Sequence, residues 1–401
     1  MSVRNPIFRQ KRLECIVYLD SYVKVGDGIV DAYIDFRQLK DLAMFRRIVN
    51  LPENAGSYIE LKSLKSAKRL MRGCYYKLNL ALLKEEPFNR AEDSLIIGGS
   101  YDLSRMEMPH GDDTELLQKH EILDSEELRQ RNVPQELPMI ISSTDDMKLY
   151  VKDVNQANWN ELRFSNKVVV LFDAGARLNA RRTEVASIFE SRKVDLERSK
   201  PMLVISHWDI DHIHCLKLIP ENKLPNYFSK LICVDRKQTV TASSIYEKFL
   251  KALGRKNVYS VPPAARTNGI DMHLWRDMGC LSIYLGEQSR NINYCGMVMF
   301  VKGLAKSANY TGDCRLTQAK SVYDHEIDQG LNTTKHVLVA PHHGGDYGAS
   351  FRHYRMPCNE IAISVGYHNS YGHPQQDMVR YLNRLGNVKR TDELGDIEIR
   401  L

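Results

Sequence analysis

The residues best placed to do chemistry lie in Ser206–His214, which reads SHWDIDHIH. Within it, His207, Asp209, Asp211 and His212 form H-x-D-x-D-H, four potential metal ligands packed into one short segment. Two neighbouring carboxylates do not both stay ionised cheaply without a counter-charge, and a divalent cation supplies one. The plain alternative is a solvated polar turn, but such turns rarely concentrate His and Asp in this way. The segment directly follows Met202–Ile205, a short apolar run that reads as a strand. Loops just past strand ends are where α/β folds place functional groups.

A metal cage needs ligands from elsewhere in the chain, and three further segments offer them. Thr311–Asp313 (TGD) follows the strand-like run that starts at Met297. Pro341–Gly345 (PHHGG) follows the run Val337–Ala340, and Tyr371–Pro374 (YGHP) comes shortly after Ile361–Val365. Asp313, His342 or His343, and His373 therefore each sit beyond a strand. Singly, a Gly-Asp is a turn and a loop His is surface. The shared position beyond strand ends makes one common site credible. Asp173 in Phe172–Gly175 (FDAG) is another strand-end carboxylate, expected to orient a ligating His or its loop. Cys314, next to Asp313, is read as a packing residue rather than a thiolate ligand.

The elements that must position these groups alternate in type. Met147–Val154, Lys167–Phe172, Met202–Ile205, Leu231–Val234, Met297–Val301, Val337–Ala340 and Ile361–Val365 read as strands. Arg177–Lys200, with Val185, Ile188 and Phe189 turned inward, reads as a long charged helix, and Ser243–Leu253 and Met378–Leu385 as further helices. Strands alternating with helices indicate an α/β layered fold with buried sheets.

Residues 1–138 read differently. Cys15–Leu19 and Asp31–Phe36 look like strands, being rich in β-branched and aromatic residues. Leu61–Leu83 is expected to be helical, with Leu64, Ala67, Leu70 and Met71 on one face. Lys62, Lys65, Lys68, Arg69 and Arg72 would form its other face, read first as solvated and second as a nucleic-acid contact. Met108–Thr114 is expected to be a loop. Asn132–Pro138 (NVPQELP), polar and twice interrupted by proline, marks the expected boundary between an α+β N-terminal region (1–138) and a second domain (139–401).

The bulk numbers set few limits on these 401 residues. Hydrophobic content of 43% allows a sizeable core. A formal charge of +6 permits an anionic substrate without requiring one. The start lacks an apolar targeting core, and no apolar run is long enough to span a bilayer. The 8 cysteines are scattered without a C-x-x-C pair, which reads as reduced thiols. A soluble, cytoplasmic protein without a membrane partner is the expectation.

Taken together, these segments resemble the soluble metallo-β-lactamase domain of the competence protein ComEC and its stand-alone relatives. S-H-x-D-x-D-H is a variant of the H-x-H-x-D-H signature of metallo-β-lactamase-fold enzymes. Asp153–Asn160 (DVNQANWN) resembles the family's opening D-V-G-Q-G-D segment, and VVVLFDAG its next strand with Asp-x-Gly. Asn293–Val298, TGD, PHHGG and SVGYHNSYGHP follow in the family's order, and Arg390–Ile399 resembles its closing strand. The likeness covers about 139–401. Departures are Asn155 and Ala157 for two glycines, Asn158 for an Asp, His214-Cys215 for Gly-Gly, and Gly345-Asp346 where a Ser is usual. They spare the ligand positions and alter the walls of the cleft.

The resemblance implies a four-layer αβ/βα sandwich with a hydrolytic centre of two divalent ions, Zn²⁺ or Mn²⁺, at one edge of its sheets. It implies His207 and Asp209 on one ion, Asp211 and His212 on the other, Asp313 bridging, and His342 and His373 completing the shell. The choice between His342 and His343 stays open. The expected activity is phosphodiester or nucleic-acid hydrolysis by a metal-activated hydroxide that Asp211 or Asp313 holds, with His342 or His373 protonating the leaving oxygen. Two other readings stand beside it: hydrolysis of a small ester, thioester or cyclic nucleotide, and a metal-binding regulatory module without turnover. The N-terminal region could select substrate, bind a protein partner or drive assembly.

Overall fold

The computed structural model describes residues 14–26, 29–48, 57–65, 70, 72–80, 89–91, 94–98, 103–105, 146–237, 239–267, 271–289, 291–333, 335–345, 356–367, 369 and 372–401. They fall into two compact units: one of residues up to 107 with the short excursion Thr239–Thr241, and one holding the rest. The expected boundary at 132–138 and the expected loop at 108–114 lie outside the described residues.

The first unit is built on a sheet of seven strands: β1 (Glu14–Gly26), β2 (Ile29–Phe36), β3 (Ile59–Lys65), β4 (Cys74–Asn79), β5 (Asn89–Ala91), β6 (Ser94–Gly98) and β7 (Leu103–Arg105). Their order is β5-β6-β3-β2-β1-β4-β7. Helix α1 (Leu39–Ile48) contributes Leu42 and Phe45 to a core shared with Val17, Leu19, Ala32, Ile34 and Phe36.

The helix expected over Leu61–Leu83 is not formed. Of its described residues, 61–65 belong to β3 and 74–79 to β4. Leu61 pairs with Ala32 of β2 and Tyr76 with Val17 of β1, so cross-strand partners override the helical spacing. Gly73, at φ 70°, turns the chain into β4, where buried Tyr76 and Leu78 flank exposed Lys77 with the period of two that a strand requires. Among the described residues, no basic helix face arises there. Arg72 instead sits over the Tyr22 ring, 5.7 Å from its centre.

The second unit contains two further seven-stranded sheets. One comprises β8 (Met147–Val151), β9 (Asn160–Phe164), β10 (Lys167–Phe172), β11 (Met202–Ile205), β12 (Lys230–Val234) and β13 (Val258–Val261), with the closing strand beside β8. The other runs in chain order: β14 (Met272–Asp277), β15 (Leu281–Gly286), β16 (Met297–Lys302), β17 (Ser307–Tyr310), β18 (His336–Val339), β19 (Glu360–Ile363) and β20 (Asn387–Arg390). The closing strand β21 (Ile397–Arg400) pairs antiparallel with β8. β11 lies parallel between β10 and β12, and all four of its residues are buried, as a run apolar on both faces demands.

Helices cover the outer faces. Helix α2 (Arg182–Ser199) buries Val185, Phe189 and Leu196 and ends where Lys200 turns left-handed ahead of Pro201. It starts five residues later than its sequence pattern suggests, after a turn in which the Ala180 N–H donates to the Arg177 carbonyl. Helix α3 (Ile210–Leu218) follows β11, and helix α4 (Val240–Leu253) follows β12. On the second sheet, helices α5 (Leu316–Asp328) and α6 (Gln376–Leu385) pack Val322, Tyr323, Met378 and Leu382 against Val298, Phe300, Leu338 and Ile361.

The two sheets meet on their inner faces. The Phe172 and Tyr310 rings lie 5.8 Å apart, and the Tyr310 hydroxyl donates to the Glu161 carbonyl at 3.2 Å. The order of layers is therefore αβ/βα, the four-layer sandwich expected. Among the described residues, no helix is long and apolar enough to cross a membrane.

Candidate metal centre

Four loops meet at the ends of β10, β11, β17 and β18. The chain leaves β11 through Ser206 and His207. Asp209 takes the N-cap position of α3, which puts Asp211 and His212 in its first turn. Asp313 follows β17, one strand later than the Met297 run suggested, and His342 and His343 follow β18. Backbone contacts lock the loops together. Gly312, at φ 52°, passes so close to Ser206 that a Cβ there would stand 2.6 Å from its Oγ. The His342 N–H donates to the Gly312 carbonyl at 3.0 Å. A Cβ on Gly175 would overlap the Asp211 carbonyl oxygen, which itself accepts from the Asn158 N–H at 3.0 Å.

Asn155 holds φ 61°, a left-handed conformation that Asn tolerates better than most residues. His342 and His343 are both left-handed, at φ 50° and 53°. Such clustered strain is typical of functional turns.

The hydrogen bonds assign the imidazole nitrogens. Asp173, itself at φ 63°, accepts from the Ser206 N–H at 2.7 Å, from the Ser206 hydroxyl at 2.8 Å and from His212 Nδ1 at 2.8 Å. With the Ser206 proton spent on Asp173, its Oγ accepts from His207 Nδ1 at 3.0 Å. His343 Nδ1 donates to the Ser364 carbonyl at 2.8 Å. In His207, His212 and His343 alike, Nδ1 carries the proton, and Nε2 is left with its lone pair for a metal.

Those lone pairs converge. Ligand atoms of His207, His212 and Asp313 lie within 4.8 Å of one another, as do those of Asp211, His212 and His343. His207 Nε2 is 3.4 Å from Asp209 Oδ2, His212 Nε2 3.2 Å from Asp313 Oδ1, and His343 Nε2 3.4 Å from Asp211 Oδ2. Despite that crowding, His207 Nε2, His343 Nε2 and Asp313 Oδ1 are buried without a properly formed hydrogen bond. Buried polar atoms normally find partners. Orphaned atoms in both triads suit the ligand shell of a cation, and the residue types present are those that bind one.

Electrostatics point the same way. Burial works to raise the Asp313 carboxyl, yet His342 and His212 outweigh it and hold it well below the usual carboxylate range. Burial likewise opposes ionisation of Asp211, but His212 and His343 bring it down. Burial alone would lower His212, and Asp173, Asp313 and Asp211 lift it far above an ordinary imidazole. His343 rises too, against its burial, through Asp211 and Asp313. The cluster demands positive charge.

His342 and His373 occupy the rim. His342 Nδ1 is 3.0 Å from Asp313 Oδ2 on the side away from His343, and its ring lies 5.5 Å from that of His373. His373 lies in neither of the two ligand triads. Three residues escaped the sequence reading although they lie in segments it quoted. Asn293 reaches Asp313 Oδ2 at 3.5 Å and His342 Nδ1 at 3.3 Å through its side-chain amide. Asn158 lies 3.4 Å from both His212 ring nitrogens. Gln156 touches His373 Nδ1 at 3.3 Å. Amides carry no charge pattern that flags them in a sequence.

No family model and no curated protein matches the chain. Similar solved structures are metallo-β-lactamase superfamily proteins. The metallo-β-lactamase fold protein YhfI from Bacillus subtilis is 12% identical, with a TM-score of 0.36 over 64% of this chain and 100% of its own. Zn²⁺-bound PqqB from Methylobacterium extorquens is 9% identical, with a TM-score of 0.36 over 63% of this chain and 100% of its own. The short form of human tRNase Z is 11% identical, with a TM-score of 0.31 over 61% and 90%.

Proposed function

We propose that the second unit is a metal-dependent hydrolase that cleaves phosphodiesters, with nucleic acid as the substrate class. The observation that carries this reading is the pair of overlapping buried triads, His207 with His212 and Asp313 and Asp211 with His212 and His343, that hold the orphaned atoms of His207, His343 and Asp313. In this reading His207, Asp209 and Asp313 hold one divalent ion. Asp211, His212 and His343 would hold the other, with Asp313 within reach of both. When bound, such a pair of ions supplies Lewis acidity and a water acidic enough to attack near neutral pH. The chain's own residues fix the ligands: Asp173 orients His212 and, through Ser206, His207, while the Ser364 carbonyl orients His343.

Three carboxylates make the donor set oxygen-rich, which suits Mn²⁺ beside Zn²⁺. The likeness to the ComEC domain and the charge of +6 favour a polyanionic substrate. The test offers purified full-length chain, with Mn²⁺ or Zn²⁺, single- and double-stranded nucleic acid beside bis(p-nitrophenyl) phosphate. Cleavage of polymer and ester, lost in Asp211→Asn, is the expected result. Cleavage of the ester alone would favour a small substrate. Two bound metal equivalents without turnover would leave a binding module.

A further inference from the structure

The strand ends that carry the ligand types also carry three arginines. β10, β11, β12 and β13 lie parallel, so their C-terminal ends open on the same side. Asp173 and His207 stand beyond the first two. Arg236 follows β12 and Arg266 follows β13 on that side. On the second sheet Arg315 follows β17, just after Asp313. Ligands of open α/β sheets bind at this end of the strands.

All three guanidinium groups meet one loop, the chain between β15 and β16. Arg236 Nη1 donates to the Ser289 carbonyl and to Cys295 Sγ. Arg266 Nε donates to the Gln288 carbonyl at 2.7 Å. The Arg315 guanidinium carbon lies 3.7 Å from the centre of the Tyr294 ring. Buried Gln318 holds that last pair together: its Oε1 accepts from the Arg315 N–H and its Nε2 donates to the Tyr294 carbonyl, both at 2.9 Å. The loop is docked beside the carboxylate cluster. The Met297 N–H donates to the Ser206 carbonyl at 2.9 Å, and the Asn293 amide reaches Asp313 and His342.

The partners of these arginines are neutral: carbonyls, a thiol and an aromatic face. Among the described residues, no carboxylate lies within ion-pair distance of any of the three. The acids beside them in sequence are engaged elsewhere. Asp235 pairs with Lys237, and Glu287 accepts from the Thr267 N–H and lies 3.0 Å from His273 Nε2. Uncompensated positive charge along one loop attracts a polyanion. Arg266 and Arg315 are exposed, with most of their N–H fork unspent. We propose that Arg236, Arg266 and Arg315 bind backbone phosphates of a nucleic-acid strand laid along the loop between β15 and β16. Guanidiniums distributed along a loop suit a ligand with repeated anionic groups, whereas a single phosphate needs one such fork. That the strand is also the substrate rests on the phosphodiesterase reading above; its binding is read without turnover.

The test is fluorescence anisotropy of a labelled single-stranded oligodeoxynucleotide with the full-length Asp211→Asn chain, which reads binding without cleavage. Affinity should fall steeply as salt rises. Arg236 also holds the loop, so the double variant Arg266→Gln with Arg315→Gln, both exposed, carries the test. It should bind about tenfold more weakly at low salt. The slope of log affinity against log salt should shrink by about 1.4, at about 0.7 per lost phosphate contact. Arg198→Gln removes one charge at the opposite end of β10, where Arg198 donates to the Asn166 carbonyl, and should change neither quantity. Unchanged affinity and slope in the double variant would overturn the proposal. So would poly-glutamate of equal charge competing as well as the oligonucleotide, which would point to an acidic protein surface instead. A chain that binds the strand through these arginines yet cleaves no phosphodiester would remove the hydrolase reading and keep this one.

Discussion

His212 Nδ1 and Asp173 Oδ2 lie 2.8 Å apart, with both side chains wholly buried. The Asp therefore sets which nitrogen of this histidine carries the proton and which faces the carboxylate cluster. The same carboxylate holds Ser206, and Ser206 sets His207. One acid controls the orientation of two imidazoles.

Replacing that acid should loosen metal rather than the fold. Asp173 sits at φ 63°, where Asn is tolerated, so Asp173→Asn keeps the backbone path. Its amide would present N–H to the His212 N–H. Metal affinity, read by calorimetric titration, should fall about 10- to 100-fold. Unchanged affinity would show that the hydrogen bond does not matter to the ligand.

The two adjacent histidines should behave differently. His343 Nδ1 is spent on a carbonyl and its Nε2 faces Asp211, whereas His342 stands at the rim with 21% of its side chain exposed. Elemental analysis should find His343→Ala short of one metal equivalent and His342→Ala complete. The reverse would exchange their roles.

A methyl group at Gly175 has nowhere to go. It would meet the Asp211 carbonyl oxygen and, at 3.0 Å, the Asn158 carbonyl oxygen, all backbone atoms that cannot step aside. Gly175→Ala should cost at least about 3 kcal/mol in urea unfolding. It should also weaken metal binding, because the start of α3 would have to shift. A neutral effect would mean that the loop has slack the structure does not show.

Acid should destabilise the second unit through a histidine at the start of β18. His336, fully buried and stacked against Phe300, is pushed down to about 3 by burial. An unfolded histidine titrates near the model value of 6.5. The folded value is the lower one, so this contribution is complete above about pH 6.5 and is lost as pH falls toward 3. The loss by the bottom of that window is on the order of 4 kcal/mol. Unfolding measured between pH 7 and pH 4 should show a shallower decline in His336→Phe. Parallel slopes for the two proteins would remove His336 as the cause.

Much was legible in the sequence, for identifiable reasons. KVVVLF and MLVI are apolar on both faces, and only a buried strand between layers of helix accommodates that; both strands appear with their expected bounds. The dense H-x-D-x-D-H loop announced itself through like charges that need a cation. Other elements were silent. β17 reads Ser-Ala-Asn-Tyr, too polar to look buried, yet Asn309 donates to the Ala319 carbonyl at 2.9 Å and Ser307 meets His336 Nδ1 at 2.8 Å. Their hydrogen bonds exist only after folding.

The sequence by itself determined the layered α/β class and the loops that bear the ligand types, because periodicity and charge density are local properties. It could not decide that Leu61 and Tyr76 lie in strands, since helical spacing and sheet pairing compete until β1 and β2 are present to pair with them. Nor could it decide which nitrogen of each histidine faces inward. That depends on the acceptor that Nδ1 meets, such as Asp173 or the Ser364 carbonyl, each distant in the chain. A ring with two nitrogens acquires its chemistry from its second partner, and only tertiary structure supplies that partner.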